Sequence, residues 1–302
     1  MKRCAVALAG LAAACAVSPS WQTELQPALA SAREDACDLV VYFALPGREA
    51  SDRMQASLAD PIVGEALRAG NFAAVIADGS ERERLYATWI GGGEGMGIAV
   101  LNATGRVYAA RPGPQDPPEL AAFLRLCAAS REDLAALRFA VSQADARPLL
   151  RHMLGCLLLK LGCRTQSEPM LLDAATAGVA DARHCLARLY ALDGNVTSAR
   201  RWLASAPKTP EAQVTEGYVL FKERKHVEAV AAFEAALATG KLREDRQRAL
   251  LYLGKSLHEN KQDDRAMPLL QALAAEGTGS TFEAAAAHTL GHLRDAQHEH
   301  AH

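Results

Sequence analysis

The second half of this chain repeats one pattern of small and large apolar residues, and that repetition limits what it can fold into. Counting +3, +12, +16 and +19 from Gly155 gives Leu158, Ser167, Leu171 and Ala174. Ala187 gives Tyr190, Ala199, Leu203 and Ala206; Gly217 gives Leu220, Ala229, Phe233 and Ala236; Gly254 gives Leu257, Ala266, Leu270 and Leu273. The anchors step by 32, 30 and 37 residues, and a further 37 reaches Gly291, the expected place of a terminal capping helix. A small residue lets two helices approach, and a large one fills the groove between them. After Arg131-Glu-Asp133 no strand-like run returns and the periodicity stays helical. Paired helices follow, each pair burying its apolar face only against its neighbours.

From Cys37 to about Cys127 the pattern alternates instead. Strand-like runs lie at Asp38–Ala44, Phe72–Asp78, Gly97–Asn102 and Val107–Arg111, with helical runs at Ala50–Arg68, Ser80–Trp89 and Pro118–Ala129. Asn102-Ala-Thr-Gly105 reads as a hairpin turn between the last two strands. The order β-α-β-α-β-β-α predicts a compact α/β sandwich ahead of the helical array. The glycine-rich run Trp89–Gly97 matches no phosphate-binding pattern and opens no helix, so it reads as a turn.

Both halves resemble known families. "EGYVLFKERKHVEAVAAFEAAL" (Glu216–Leu237) resembles a tetratricopeptide repeat, whose unit of about 34 residues is close to the steps above, and Ala174–Ala206 resembles the related Sel1-type repeat. That resemblance implies a curved solenoid whose concave face binds a protein or peptide partner. The first helix of each unit should line it at −3, +1 and +4 from the anchor. The resulting partner-binding candidates are His184, Arg188, Tyr218, Phe221, Lys255 and His258, with His152 and Leu159 from the first unit. The alternative for each is packing between helices. The Lys/Asn set with which some relatives clamp a terminal carboxylate is not recognisable here.

Cys37–Cys127 resembles a thioredoxin-fold domain: a hydrophobic strand ending at Phe43, a helix bearing Met54, "LADPIVGEAL" (Leu58–Leu67) as second helix, and "GIAVLNATGRV" (Gly97–Val107) as hairpin. On that resemblance Arg48 and Ser51 stand at the two redox cysteines, Gly47 at the tryptophan, Tyr42 at the buried acid and Met96 at the cis-proline. Dithiol chemistry needs a thiolate at a helix start and a second thiol three residues on. The implication is a redox-inactive scaffold with no catalytic residue and no cofactor. Arg48 reads either as a surface arginine or as part of an anion-binding helix start.

The remaining features bound location and partners. Met1-Lys-Arg3 precedes an uncharged run, Cys4–Val17, shorter than the roughly 20 residues a membrane helix needs but suited to an export signal. The protein is expected to be exported to the periplasm or cell envelope, with cleavage near Ala16 or near Ala28-Leu-Ala30. Ala12-Ala-Ala-Cys15 approximates a lipobox, so a membrane is met only through a lipid anchor at Cys15. The expected domains are 1–30 signal and linker, 36–129 α/β, 130–150 connecting helix and 151–302 repeats. Lys plus Arg total 33 against 35 Asp plus Glu, without a concentrated basic face, which excludes a nucleic-acid partner. Of seven cysteines, Cys37, Cys127, Cys156, Cys163 and Cys185 would survive export; none forms C-x-x-C, which excludes a zinc ribbon. Cys37 precedes the first strand and Cys127 sits in a helix expected across the same sheet, so these two are the expected disulfide, with buried structural thiols as the alternative. His288 and His292 are spaced i, i+4, and His298, His300 and His302 follow, but no carboxylate or cysteine nearby completes a metal site. The functional expectation is non-catalytic protein binding or scaffolding. The competing reading is a thiol-disulfide accessory or redox sensor using cysteines outside any C-x-x-C.

Overall fold

A computed structural model of the chain describes residues 21–77, 81–91, 95–143, 145–242 and 245–299. Strand β1 (Asp38–Phe43), aliphatic and aromatic after Asp38, is buried from end to end, as a central strand must be. β2 (Phe72–Ala77) pairs parallel on one side, β3 (Gly97–Leu101) antiparallel on the other, and β4 (Val107–Pro112) antiparallel beyond it. The sheet order is β2-β1-β3-β4. In the β3–β4 turn the Gly105 N–H donates to the Asn102 carbonyl at 2.8 Å, with Gly105 at φ +81°, where glycine carries no steric cost.

Two elements depart from the sequence expectation. A helix α1 (Leu25–Glu34) precedes β1, where signal and linker were expected. Gln22 pairs with β2 through two backbone bonds, Gln22 N–H to Ala74 O at 3.0 Å and Ile76 N–H to Gln22 O at 2.9 Å. Ala28 and Ala32 are buried, and Leu25 and Leu29 pack against the core beside them; the helix falls where Ala28-Leu-Ala30 reads as a candidate cleavage site. The helix expected over 50–68 is two, α2 (Glu49–Ala59) and α3 (Pro61–Ala69). Pro61 cannot continue a hydrogen-bonded helix and holds Asp60 extended, whose Oδ1 accepts the Ile62 N–H at 2.9 Å and caps α3. α4 (Arg82–Trp89) and α5 (Pro117–Ala129) complete the α/β unit.

After α6 (Arg131–Ser142) come four helix pairs: α7 (Pro148–Lys160) with α8 (Arg164–Thr176), α9 (Ala182–Leu192) with α10 (Val196–Ala204), α11 (Pro210–Lys222) with α12 (His226–Ala238), and α13 (Arg246–Glu259) with α14 (Asp263–Ala274). α15 (Thr281–Glu299) follows, opened by a capping box in which Ser280 Oγ accepts the Glu283 N–H at 3.2 Å and the Glu283 carboxylate accepts the Thr278 and Gly279 N–H groups, each at 2.8 Å. The anchors work by contact. A Cβ at Gly155 would stand 2.7 Å from Leu171, at Gly217 2.8 Å from Phe233, and at Gly254 2.6 Å from Leu270, the +16 residue each time. Ser167 occupies a slot that holds alanine elsewhere, and its hydroxyl is satisfied by the Gly155 carbonyl at 2.7 Å. Pro169 and Pro268 both lie at +14 and sit inside α8 and α14.

The array is not a separate body. Leu134, Leu154, Leu158, Leu161 and Cys163 belong to the same buried cluster as the sheet. The outer edge of β4 is covered: Ala110 N–H donates to Leu161 O at 3.0 Å, and Gln166 Nε2 and Arg138 Nη2 donate to Val107 O at 2.8 and 3.2 Å. At the far end α15 returns to pack on α5, and His288 pairs with Asp116 beside the start of α5. The helical arc therefore begins and ends on the α/β unit. None of the described helices is long and apolar enough to cross a membrane.

Candidate binding chamber

Three positions singled out in the sequence meet in the α/β core. The Tyr42 hydroxyl lies 2.7 Å from Ser51 Oγ and donates to Met96 Sδ at 3.5 Å, while Ser51 Oγ accepts the Leu45 N–H at 3.2 Å. All three residues are buried. Arg82 of α4 donates to the carbonyls of Ala44 and Gly95, and Tyr86 donates to Met96 O at 3.2 Å. Burial pushes the Tyr42 and Tyr86 hydroxyls above their ordinary values, so both stay neutral donors. Arg48 stands exposed at the start of α2 and makes no side-chain cap. This corner is a closed hydrogen-bonded plug that contains no thiol.

The open volume lies elsewhere. A cavity of about 1230 Å³, open on one side, lies between α5, α6 and the inner helices of the arc, α7, α9, α11, α13 and α15; no residue of α8, α10, α12 or α14 lines it. Its charged wall residues are Arg111, Arg125, Lys160, Arg188 and Arg248 against Glu119, Asp133 and Asp245. Asp245, at the start of α13, accepts from Arg188 Nη1 at 3.1 and 3.3 Å and from Arg248. One carboxylate thus serves two guanidinium groups. Arg188 Nε and Arg111 Nε are buried with no hydrogen-bond partner among the described residues, and the Arg111 guanidinium stacks 5.0 Å above Phe123. Burial pulls Arg111 and Arg248 below the ordinary guanidinium value, with the Arg188 charge adding to the effect at Arg248. The wall carries more positive charge than its own carboxylates offset.

Of the partner-binding candidates, Arg188 and Tyr218 face this cavity, and His184, Phe221, Lys255 and His258 are not among its walls. Tyr218 is only 2% exposed and packs edge-on against Tyr252 at 4.7 Å. Phe221 packs on His226 and Tyr252, Lys255 Nζ lies 5.8 Å over the Tyr252 ring, and His258 Nδ1 is 2.7 Å from Asp263. His184 is buried, its Nδ1 without a partner among the described residues. The +1 slot lines the wall in three successive units, as Cys156, Arg188 and Tyr218, and turns away at Lys255. In the first unit the +1 offset gives Cys156, and with His152 and Leu159 it lines the cavity.

Cys156 is where the chemistry collects. Its Sγ lies 2.9 Å from Cys185 Sγ, and His152 Nε2 lies 3.8 Å from the Cys185 sulfur. Arg188 Nη2 approaches the same sulfur at 3.9 Å. The Cys156 contact, then His152, His184 and the Arg188 charge, hold the Cys185 thiol well below its ordinary value against the opposing effect of burial. The other cysteines are quiet. Cys37 and Cys127, the pair expected as a disulfide, stand as two buried free thiols in one core cluster, and burial drives the Cys127 thiol up. Cys163 is pushed up to about 11, chiefly by burial. At the C-terminus His288 and His292 have their Nε2 atoms 2.9 Å apart. The side chain of His298, together with His300, His302 and the lipobox at Cys15, lies outside the described residues.

No known protein-family model matches this chain, and no curated protein matches it.

Proposed function

We propose that the chain is a non-catalytic binding protein. In this reading a redox-inactive thioredoxin-like unit and a tetratricopeptide/Sel1-like arc jointly hold an anionic, partly apolar segment of a protein partner. The observation that carries it is the cavity of about 1230 Å³, whose wall sets five cationic side chains, Arg111, Arg125, Lys160, Arg188 and Arg248, against three carboxylates. Small-molecule pockets run to roughly 300–1,000 Å³, so the space suits a peptide segment. A wall with more cationic than anionic side chains favours an acidic occupant. Apolar side chains stand out beside it: Phe139 is 71% exposed, Leu149 55% and Met153, itself a wall residue, 48%, a surface suited to the flanks of a docked segment. The thioredoxin-like assignment is supported by the sheet order and by Tyr42, Ser51 and Met96 meeting at one corner. Export remains part of the proposal, with cleavage near Ala16, because cutting at Ala28-Leu-Ala30 would sever α1, whose Ala28 is buried.

The test is fluorescence anisotropy of the full chain with labelled acidic-apolar peptides and their lysine-substituted counterparts. Acidic peptides should bind, weaken with salt, and lose about tenfold in affinity on Arg111→Gln. Equal binding of both peptide classes, or none of either, contradicts the proposal.

A further inference from the structure

We propose that His152, Cys156 and Cys185 form a binding site for a thiophilic d10 metal ion, Zn2+ in the first instance, set in the wall of the chamber. His152 and Cys156 are spaced i, i+4 on α7 and so project from one helix face. Cys185 is delivered by α9, from the neighbouring repeat, and is buried. One ligand atom from each residue lies within 4.8 Å of the other two. Around a tetrahedral zinc ion, with bonds of about 2.3 Å to sulfur and 2.0–2.1 Å to nitrogen, neighbouring ligand atoms stand roughly 3.4–3.8 Å apart. The 3.8 Å between His152 Nε2 and Cys185 Sγ already fits, and the 2.9 Å between the sulfurs needs only a small opening. Two thiolates and a neutral imidazole balance a divalent ion. The Arg188–Asp245 ion pair beside Cys185 supplies the outer hydrogen-bonding layer that such ligands require.

Three protein ligands leave one position of a tetrahedron unfilled. His152 and Cys156 both line the chamber, so that position opens onto its interior, where water or a donor atom of an occupant completes the shell. The site stands whether or not the chamber takes a peptide. It also differs from the His288–His292 pair, which lacks a sulfur ligand.

The experiment uses the full chain, reduced and kept free of oxygen, titrated with Co2+ as a spectroscopic substitute and then with Zn2+. One equivalent of Co2+ should produce visible bands of a tetrahedral, thiolate-ligated ion, and one equivalent of Zn2+ should abolish them. Cys185→Ser and His152→Gln should each weaken Co2+ binding by about 100-fold or more, exceeding the 10–100-fold typical of losing an outer partner, and His292→Ala should leave it unchanged. His152 is only half-buried, so its variant remains informative if Cys185→Ser disturbs folding; circular dichroism distinguishes the two cases. Absence of bands in the reduced chain overturns the proposal, as does full binding in the folded His152→Gln variant. A Cys156–Cys185 disulfide forming in air equally fast with and without Zn2+ overturns it as well, because a bound ion must protect the thiolates.

Discussion

Tyr42 places a hydroxyl in the middle of an apolar core, and Ser51 is what makes that tolerable. The Ser51 contact is 2.7 Å, whereas the Met96 sulfur at 3.5 Å is a weak acceptor. Ser51→Ala should therefore destabilise the protein by about 1–2 kcal/mol in denaturant unfolding, because the phenol keeps only the long contacts to the Ser51 carbonyl at 3.4 Å and the sulfur, and the Leu45 N–H loses its acceptor. Removing the phenol too, as Tyr42→Phe/Ser51→Ala, should recover part of the loss. A Ser51→Ala variant as stable as the parent would show that the plug is not a coupled unit. The resemblance to a thioredoxin fold named Tyr42, Ser51 and Met96 separately. Their contact was not legible, because Tyr42 and Met96 are 54 positions apart. The chamber charges were hidden for the same reason: Arg188 meets Asp245 across 57 positions.

Helix pairs are the level at which the sequence spoke most clearly. The small anchor and the large residue sixteen positions on are in contact in three units, each leaving no room for a Cβ. Gly217→Ala should cost about 1–3 kcal/mol by forcing Phe233 aside, despite a helix-propensity gain of about 1 kcal/mol. Gly291, the fifth anchor, has nothing within 4 Å of its missing Cβ, so Gly291→Ala should be neutral or stabilising. Melting of the two variants side by side checks the repeat register; the opposite order contradicts it. Legibility failed where another signal masked an element or where the helical period ran on across a break. α1 meets the core through Leu25, Ala28, Leu29 and Ala32 but lies where an export signal and linker are expected, and the Asp60-Pro61 pair, a cap and first-turn signal, interrupts a stretch whose periodicity stays helical on both sides.

On the scale of the whole molecule, closure creates the site. Each inner helix presents a modest strip, and only the return of α15 to α5 and the docking of α7 on β4 turn those strips into the walls of one cavity. No local pattern encodes that return, so the concave groove was foreseeable and its floor of Arg111, Glu119 and Arg125, supplied by the α/β unit, was not. The central claim is that partners are held inside this chamber and not on the outer helices. Site-specific photo-crosslinking tests it most directly, with the crosslinker placed at Leu192, on the chamber wall, or at Val227, 68% exposed on α12. A bound acidic-apolar peptide should be captured from Leu192 and not from Val227; capture from Val227 with none from Leu192 would contradict the account.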